Sequence, residues 1–169
     1  MSRTVVLETP RLILRLLTLD DAQFMVTLLN DPSFFANIGD KGIRTVEQAR
    51  QFLLDSHLAS YERNGYGHYL VEVKETGKPI GTCGLINRVA LGEIDIGFAY
   101  LPESWGKGYA TEAAEAVMKQ AREQLGIAKI VAIVSPHNQG SIRVLEKLGL
   151  RYSRPVQLVA GGETIHLYE

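Results

Sequence analysis

The chain of 169 residues is poor in several features at once. It has one cysteine, Cys83, so no intrachain disulfide can form. It has no continuous apolar run long enough to span a bilayer, which argues against a membrane partner. Its first residues, MSRTVVLETPRLILRL, lack the unbroken apolar segment and the small-residue cleavage site of a secretory signal. These absences point to a cytoplasmic protein. Charges nearly cancel, with 18 Lys and Arg against 19 Asp and Glu, so no basic field marks a nucleic acid as a partner. The histidines, His57, His68, His137 and His166, are scattered without ligand spacing, so no metal site is expected. Without repeats, low-complexity tracts or linkers, residues 1–169 read as one domain with a sizeable core. Monomer and homodimer both remain open.

What is present is a change of period along the chain. Leu12 to Leu17 reads as a first strand. Thr18-Leu-Asp-Asp21 starts a helix, with Thr18 as cap and acids in the first turn, and Asn30-Asp31-Pro32 ends it. Thr45-Val-Glu-Gln48 has the capping-box pattern of a second helix. His68–Lys74 and Pro79–Asn87 read as a hairpin, and Glu93–Tyr100 as the next strand. Ala110, Ala113, Ala114, Val117, Met118, Ala121 and Leu125 then recur at helical spacing, with Gly126 as the stop. Lys129–Val134 is apolar on both faces, as a buried central strand should be. Strand, helix, strand in this length is a parallel crossover. A short helix after Asn138 stops at Gly149. Two strands near Tyr152–Leu158 and Thr164–Tyr168, joined through Gly161-Gly162, close the chain. The fold class is α+β (mixed α/β).

The crossover junction reads LPESWGKGYATEA, from Leu101 to Ala113. Glycines before a helix N-terminus let a ligand approach free backbone N–H groups at the positive end of the helix dipole. The natural ligand is a phosphate or pyrophosphate. Lys107 is followed by Gly108 rather than Ser or Thr, which excludes a P-loop. Thr111 takes the place of the third glycine of a dinucleotide fingerprint, and no acid follows at the required distance.

The segments TPRLILRLLTLDDA (9–22), NDP (30–32), KPIGTCGL (78–85), IDIGFAYLPESWGKGYATEA (94–113) and HNQGSIRVLEKLGL (137–150) occur in that order. This resembles the GNAT superfamily of acetyl-CoA-dependent N-acetyltransferases, and looks most like the branch that acetylates ribosomal-protein N-termini. The resemblance implies a central, mostly antiparallel sheet of about seven strands, one parallel crossover, splayed central strands and about four flanking helices. The family's phosphate motif is Gln/Arg-x-x-Gly-x-Gly/Ala. Gly108 and Ala110 match it, and Trp105 departs from it. By resemblance, the N–H groups of Gly106, Lys107, Gly108, Tyr109 and Ala110 hold the pyrophosphate of acetyl-CoA, with Thr111 beside them. Pantetheine pairs with the backbone edge of Phe98, Ala99, Tyr100 and Leu101, and Asn138 and Ser141 contact it from the following helix.

The implied reaction is direct attack of a primary amine, from a protein N-terminus or a small molecule, on a thioester. It needs a neutral amine and a donor to the leaving sulfur. Glu93 and Asp95 lie two apart on a strand and so share a face. Asp95 stands where the family often carries a water-linked base; Glu93, Glu163 in the final hairpin, or solvent are the alternatives. The family's usual tyrosine acid falls on Leu145 here. Ser141, one turn earlier, is the substitute by resemblance. Phe34, Phe35, Tyr61, Tyr66 and His68 are candidates for the acceptor pocket. A catalytically weak acetyl-CoA-binding sensor or scaffold is the competing expectation.

Overall fold

The structure, a computed structural model, describes residues 3–169. Two strands open it, β1 (Val5–Glu8) and β2 (Leu12–Leu16). β1 lies ahead of the first expected strand. It is a sheet edge with no fully buried residue, so it lacks the alternation that reveals a strand. Thr18 and Asp21 cap one tight turn reciprocally, and α1 (Ala22–Leu29) follows. Asn30-Asp31-Pro32 ends α1 and also begins a helix that sequence reading missed, α2 (Pro32–Asn37). The Asp31 carboxylate accepts from the Ser33 N–H at 2.9 Å, and Pro32 sits where a helix has no use for an N–H.

The Thr45–Gln48 capping box starts α3 (Val46–Leu53) as expected. A wide turn of π-helix, Leu54–Leu58, carries the helix on into α4 (Ala59–Asn64), which stops at Gly65 with φ +77°. The hairpin β3 (His68–Val73) and β4 (Pro79–Arg88) leads to β5 (Glu93–Tyr100). These complete an antiparallel sheet in the order β1-β2-β3-β4-β5.

α5 (Tyr109–Gln124) then crosses over to β6 (Ala132–Val134). After α6 (Gln139–Lys147) come β7 (Tyr152–Val156) and β8 (Ile165–Tyr168), giving a second sheet in the order β6-β8-β7. The two sheets touch through one parallel bridge, Asp95 to Val131. There Ile96 N–H donates to Val131 O at 2.8 Å and Val131 N–H to Ile94 O at 3.0 Å. Past the bridge β5 and β6 part, as splayed strands should.

Alternation along the strands sorts the core into two layers. Tyr69 and Val71 of β3 face α5, whose Ala113, Ala114, Val117 and Ala121 are fully buried and let the helix lie close to the sheet. Leu70 faces the opposite layer, under α1 and α3. On that second face, one cross-strand row reads His68, Gly84, Gly97. A Cβ on Gly84 would fall 2.1 Å from the Gly67 carbonyl oxygen, and one on Gly97 would fall 3.1 Å from His68 Nε2. Gly84 admits the backbone at Gly67 and His68, Gly97 leaves room for the His68 ring lying across the sheet, and a hollow opens beside it.

Candidate active site

The cleft at the splay has two connected hollows, of about 570 and 300 Å³. They meet at Phe98, Ala99, Asn138 and Ser141, which line both.

The larger hollow runs past the glycine loop. Gly106 and Gly108 have φ of +74° and +81°, a region that strains any residue with a side chain. Gly108 is the N-cap of α5 and supplies no side-chain cap. The first N–H groups of that 16-residue helix are therefore left for a ligand, and Tyr109, Ala110 and Thr111 line the hollow. An anion such as a pyrophosphate fits this cradle: the uncapped start of α5 borders the hollow, and the space beside Gly106 is open.

Two of the expected contacts sit elsewhere. Lys107 lies outside the lining, where its carbonyl accepts from Arg11 Nη1 at 2.8 Å. Leu101 also lies outside: its N–H is taken by Ile80 O at 2.9 Å and its side chain packs in the layer under α1.

The remaining edge of β5 is more selective than a run of four residues. Ile94 and Ile96 turn their backbone groups toward β6, so by the two-residue period Phe98 and Tyr100 do the same. The Tyr100 carbonyl is occupied by the Trp105 indole N–H at 2.9 Å. That leaves Phe98 N–H, Phe98 C=O and Tyr100 N–H along the open edge. Trp105 thus closes the strand end while also lining the hollow.

Sequence reading missed three cations around this hollow. Arg143 and Lys147, one turn apart on α6, line it. Arg11 braces the loop from outside: besides the Lys107 carbonyl it holds Glu112 at 2.7 Å, and its guanidinium lies 4.5 Å over the Tyr109 ring. The Thr9 hydroxyl donates to the same Glu112. The signal was present in the TPRL segment, but its partner lies 101 residues away.

At the junction, Asn138 Oδ1 caps α6 by accepting from the Ser141 N–H at 3.2 Å. The Ser141 hydroxyl has no protein partner among the described residues and opens on both hollows. Leu145 is buried, with 2% exposure, and forms part of the floor of the smaller hollow.

The smaller hollow brings together Asp95, Arg88, His57, His68 and Lys41. Asp95 is 1% exposed, and its Oδ2 accepts from Arg88 Nε at 2.7 Å. Burial raises the Asp95 carboxyl above its ordinary range, and Arg88 offsets part of the rise. His57 and His68, which look unrelated in sequence, stack at 4.9 Å with planes 13° apart. Burial, with Lys41 nearby, lowers His57 to about 4. Burial and the neighbouring charges hold His68 well below its usual value. His68 Nε2 is closed off from solvent and has no hydrogen-bond partner.

Glu93 lines neither hollow and pairs with Lys129 at 2.8 Å. Glu163 is exposed and lines neither. Of the expected acceptor residues, Phe34 and His68 line the smaller hollow. Tyr66 is core, Phe35 is exposed, and Tyr61 donates its hydroxyl to the His68 carbonyl. Cys83, whose thiol burial pushes up to about 12, is unsuited to be a nucleophile. Among the described residues no three His, Cys, Asp or Glu side chains converge as metal ligands would, and no helix is long and apolar enough to cross a membrane.

A splayed sheet with a donor-lined loop at the mouth of a crossover helix can seat a phosphate-bearing cosubstrate. A family model for the acetyltransferase (GNAT) domain matches residues 11–151, and the chain belongs to that family. The chain is 32% identical over 147 residues to the uncharacterized N-acetyltransferase p20 of Bacillus licheniformis, covering 86% of this chain and 82% of that one. It superposes on an acetyltransferase of Agrobacterium tumefaciens with a TM-score of 0.78 at 25% identity, over 100% and 95% of the two chains. The fold is shared with a ribosomal L7/L12 alpha-N-protein acetyltransferase solved with coenzyme A, at TM-score 0.80 and 16% identity, over 97% and 96%. The protein is an N-acetyltransferase of GNAT type, and enzymes of this kind use acetyl-CoA.

Proposed function

We propose that this chain moves an acetyl group from acetyl-CoA to a primary amine, the α-amine of a protein N-terminus or the amine of a small molecule, by direct attack. The observation that carries this is the meeting of the two hollows at Ser141. The donor-lined hollow holds the coenzyme through the N–H groups of Gly106 to Thr111 and the open edge at Phe98 and Tyr100. The other hollow holds the acceptor.

Acetyl-CoA supplies the electrophilic thioester. Asp95, with Oδ1 free of Arg88 and a carboxyl raised toward neutrality, takes the proton of the incoming amine, directly or through a water. Ser141 donates a hydrogen bond to the sulfur as charge builds there, in place of the tyrosine that Leu145 replaces. Glu93 is tied to Lys129 away from the acceptor hollow, which favours Asp95 over it.

The test is a screen of peptides and small amines with acetyl-CoA, reading thiol release. Acetylated product from at least one amine at steady turnover supports the proposal. Coenzyme A binding without turnover on any amine would leave a sensor or scaffold instead.

A further inference from the structure

The smaller hollow holds an unmatched positive charge. Its titratable side chains are Lys41, His57, His68, Arg88 and Asp95. Asp95 is the only acid, and Arg88 already holds it. The two imidazoles are neutral at neutral pH. Lys41 stands at the mouth, exposed, with no carboxylate in ion-pair range among the described residues. Desolvation, and then the Arg88 charge, hold its ammonium below the usual lysine range. His68 Nε2 adds a buried nitrogen without a partner, an arrangement that is costly unless a ligand meets it.

We propose that this hollow takes an amine that also carries a carboxylate, with the amine toward Asp95 and Ser141 and the carboxylate between Lys41 and Arg88. This rests on reading the hollow as the acceptor site. One carboxylate and two cations complement an ammonium and a carboxylate on one small molecule. A polyamine would set its second ammonium against Lys41 and Arg88, and a plain alkylamine would leave them unmatched. The volume of about 300 Å³ is at the small end for ligand pockets, which suits a free amino acid; a peptide beginning with an acidic residue offers the same pair of groups.

The test compares acceptors that differ only in carboxylate against carboxamide: β-alanine with β-alaninamide, glutamate with glutamine, and the peptides Glu-Ala-Ala and Gln-Ala-Ala as amides. 1,4-Diaminobutane is the opposite-charge probe. Binding is measured by calorimetry on the enzyme loaded with coenzyme A, and acetyl transfer separately with acetyl-CoA. The carboxylate member of at least one pair should bind roughly 10- to 100-fold tighter, the range of a charged hydrogen-bonded contact. Lys41→Gln should reduce that ratio to a few-fold, and Lys41→Glu should turn the preference toward the diamine. Equal affinities within every pair, no binding by any probe, or an unchanged ratio in Lys41→Gln would overturn the assignment. A response from the peptide pair alone would identify a protein N-terminus as the source. Transfer without carboxylate preference would remove this inference and leave the transferase standing. Carboxylate binding without transfer to any amine would do the reverse.

Discussion

In the larger hollow the groups that face a ligand are mostly backbone: the N–H groups of one loop and one helix turn, and one strand edge. In the smaller hollow they are side chains, brought from the loop after α2, the π turn, β3, β4 and β5. Backbone recognition is local, because residues 98–111 supply all of those backbone groups. Side-chain recognition is assembled from afar, because its groups come from a loop, a helical turn and three strands that are separate in the sequence. Phosphates suit the first and an individual acceptor the second. The two hollows should therefore fail separately when mutated.

The largest expected effect is on the backbone side. Gly108→Asp puts a carboxylate where the cradle accepts an anion, on a residue with φ +81° whose Cβ would lie 3.3 Å from Arg11 Nη2. Affinity for coenzyme A should fall by roughly 100-fold or more, the scale of losing charged hydrogen bonds and adding a like charge. Calorimetry on a folded variant reads this, and unchanged affinity would remove the phosphate assignment.

Next is Ser141, whose hydroxyl stands where the two hollows meet. Ser141→Ala should lower kcat by roughly 10- to 1000-fold, as for a typical acid or oxyanion donor, with a smaller change in KM for acetyl-CoA. A normal kcat would reduce Ser141 to a first-turn helix residue.

How much of this was visible in the sequence follows the same division. Gly106, Gly108, Ala110 and the α5 period were legible because they are contiguous and each obeys a local rule. So were the Thr18 cap, the capping box at Thr45 and the hairpin β3–β4. β1 was not, because an edge strand need not alternate. α2 was not, because its six residues follow Pro32 too closely to show a period. The acceptor hollow was the least legible. Nothing in the string says that His68, Gly84 and Gly97 form one row, or that a π turn sets His57 on His68. Arg88 and Lys41 carried no signal at all, and Arg11 was read as part of a pattern without its task.

On the side-chain half, Asp95→Asn should cost roughly 10- to 100-fold in turnover at neutral pH and leave coenzyme A affinity unchanged. Because the carboxyl is raised, the acid limb of the wild-type rate profile should lie above the ordinary carboxylate range. The deficit should shrink as pH approaches the amine's own pKa, where free amine forms without help. A deficit constant with pH would make Asp95 an electrostatic or structural partner of Arg88.

The histidine stack gives the same half a pH-dependent stability. His57 is lowered to about 4 in the folded chain against about 6.5 unfolded, so between these values the unfolded state binds the extra proton. Stability is therefore complete above pH 6.5 and falls as pH drops toward 4. His57→Phe keeps a flat ring beside His68 without the charge. It should recover up to roughly 3 kcal/mol of the loss at pH 4 relative to pH 7. Denaturant titrations at the two pH values measure this. An equal loss in both proteins would place the acid sensitivity elsewhere.

The smallest effect tests whether the backbone half is as self-contained as its local donors suggest. Arg11 reaches it from β2's leading edge: its Nη1 holds the Lys107 carbonyl at 2.8 Å, its Nε holds Glu112 at 2.7 Å, and its guanidinium covers Tyr109. It touches no hollow lining except through these groups, so it positions the loop rather than binding the coenzyme. Its side chain is 45% exposed, which limits what the ion pair is worth in water. Arg11→Ala should raise KM for acetyl-CoA by roughly 3- to 10-fold and leave kcat at saturation unchanged, because bracing one end of the cradle contributes only about the energy of a partly solvated hydrogen-bonded pair. Arg11→Lys should restore little, since an ammonium cannot hold a carbonyl, a carboxylate and a ring face together. Glu112→Gln should add little to Arg11→Ala, because the two residues act as one contact. Additive losses would mean that Glu112 supports the loop through Thr9 independently. A fall in kcat would mean that the phosphate end of the cleft sets the geometry at Ser141, and the two halves would then not be separable.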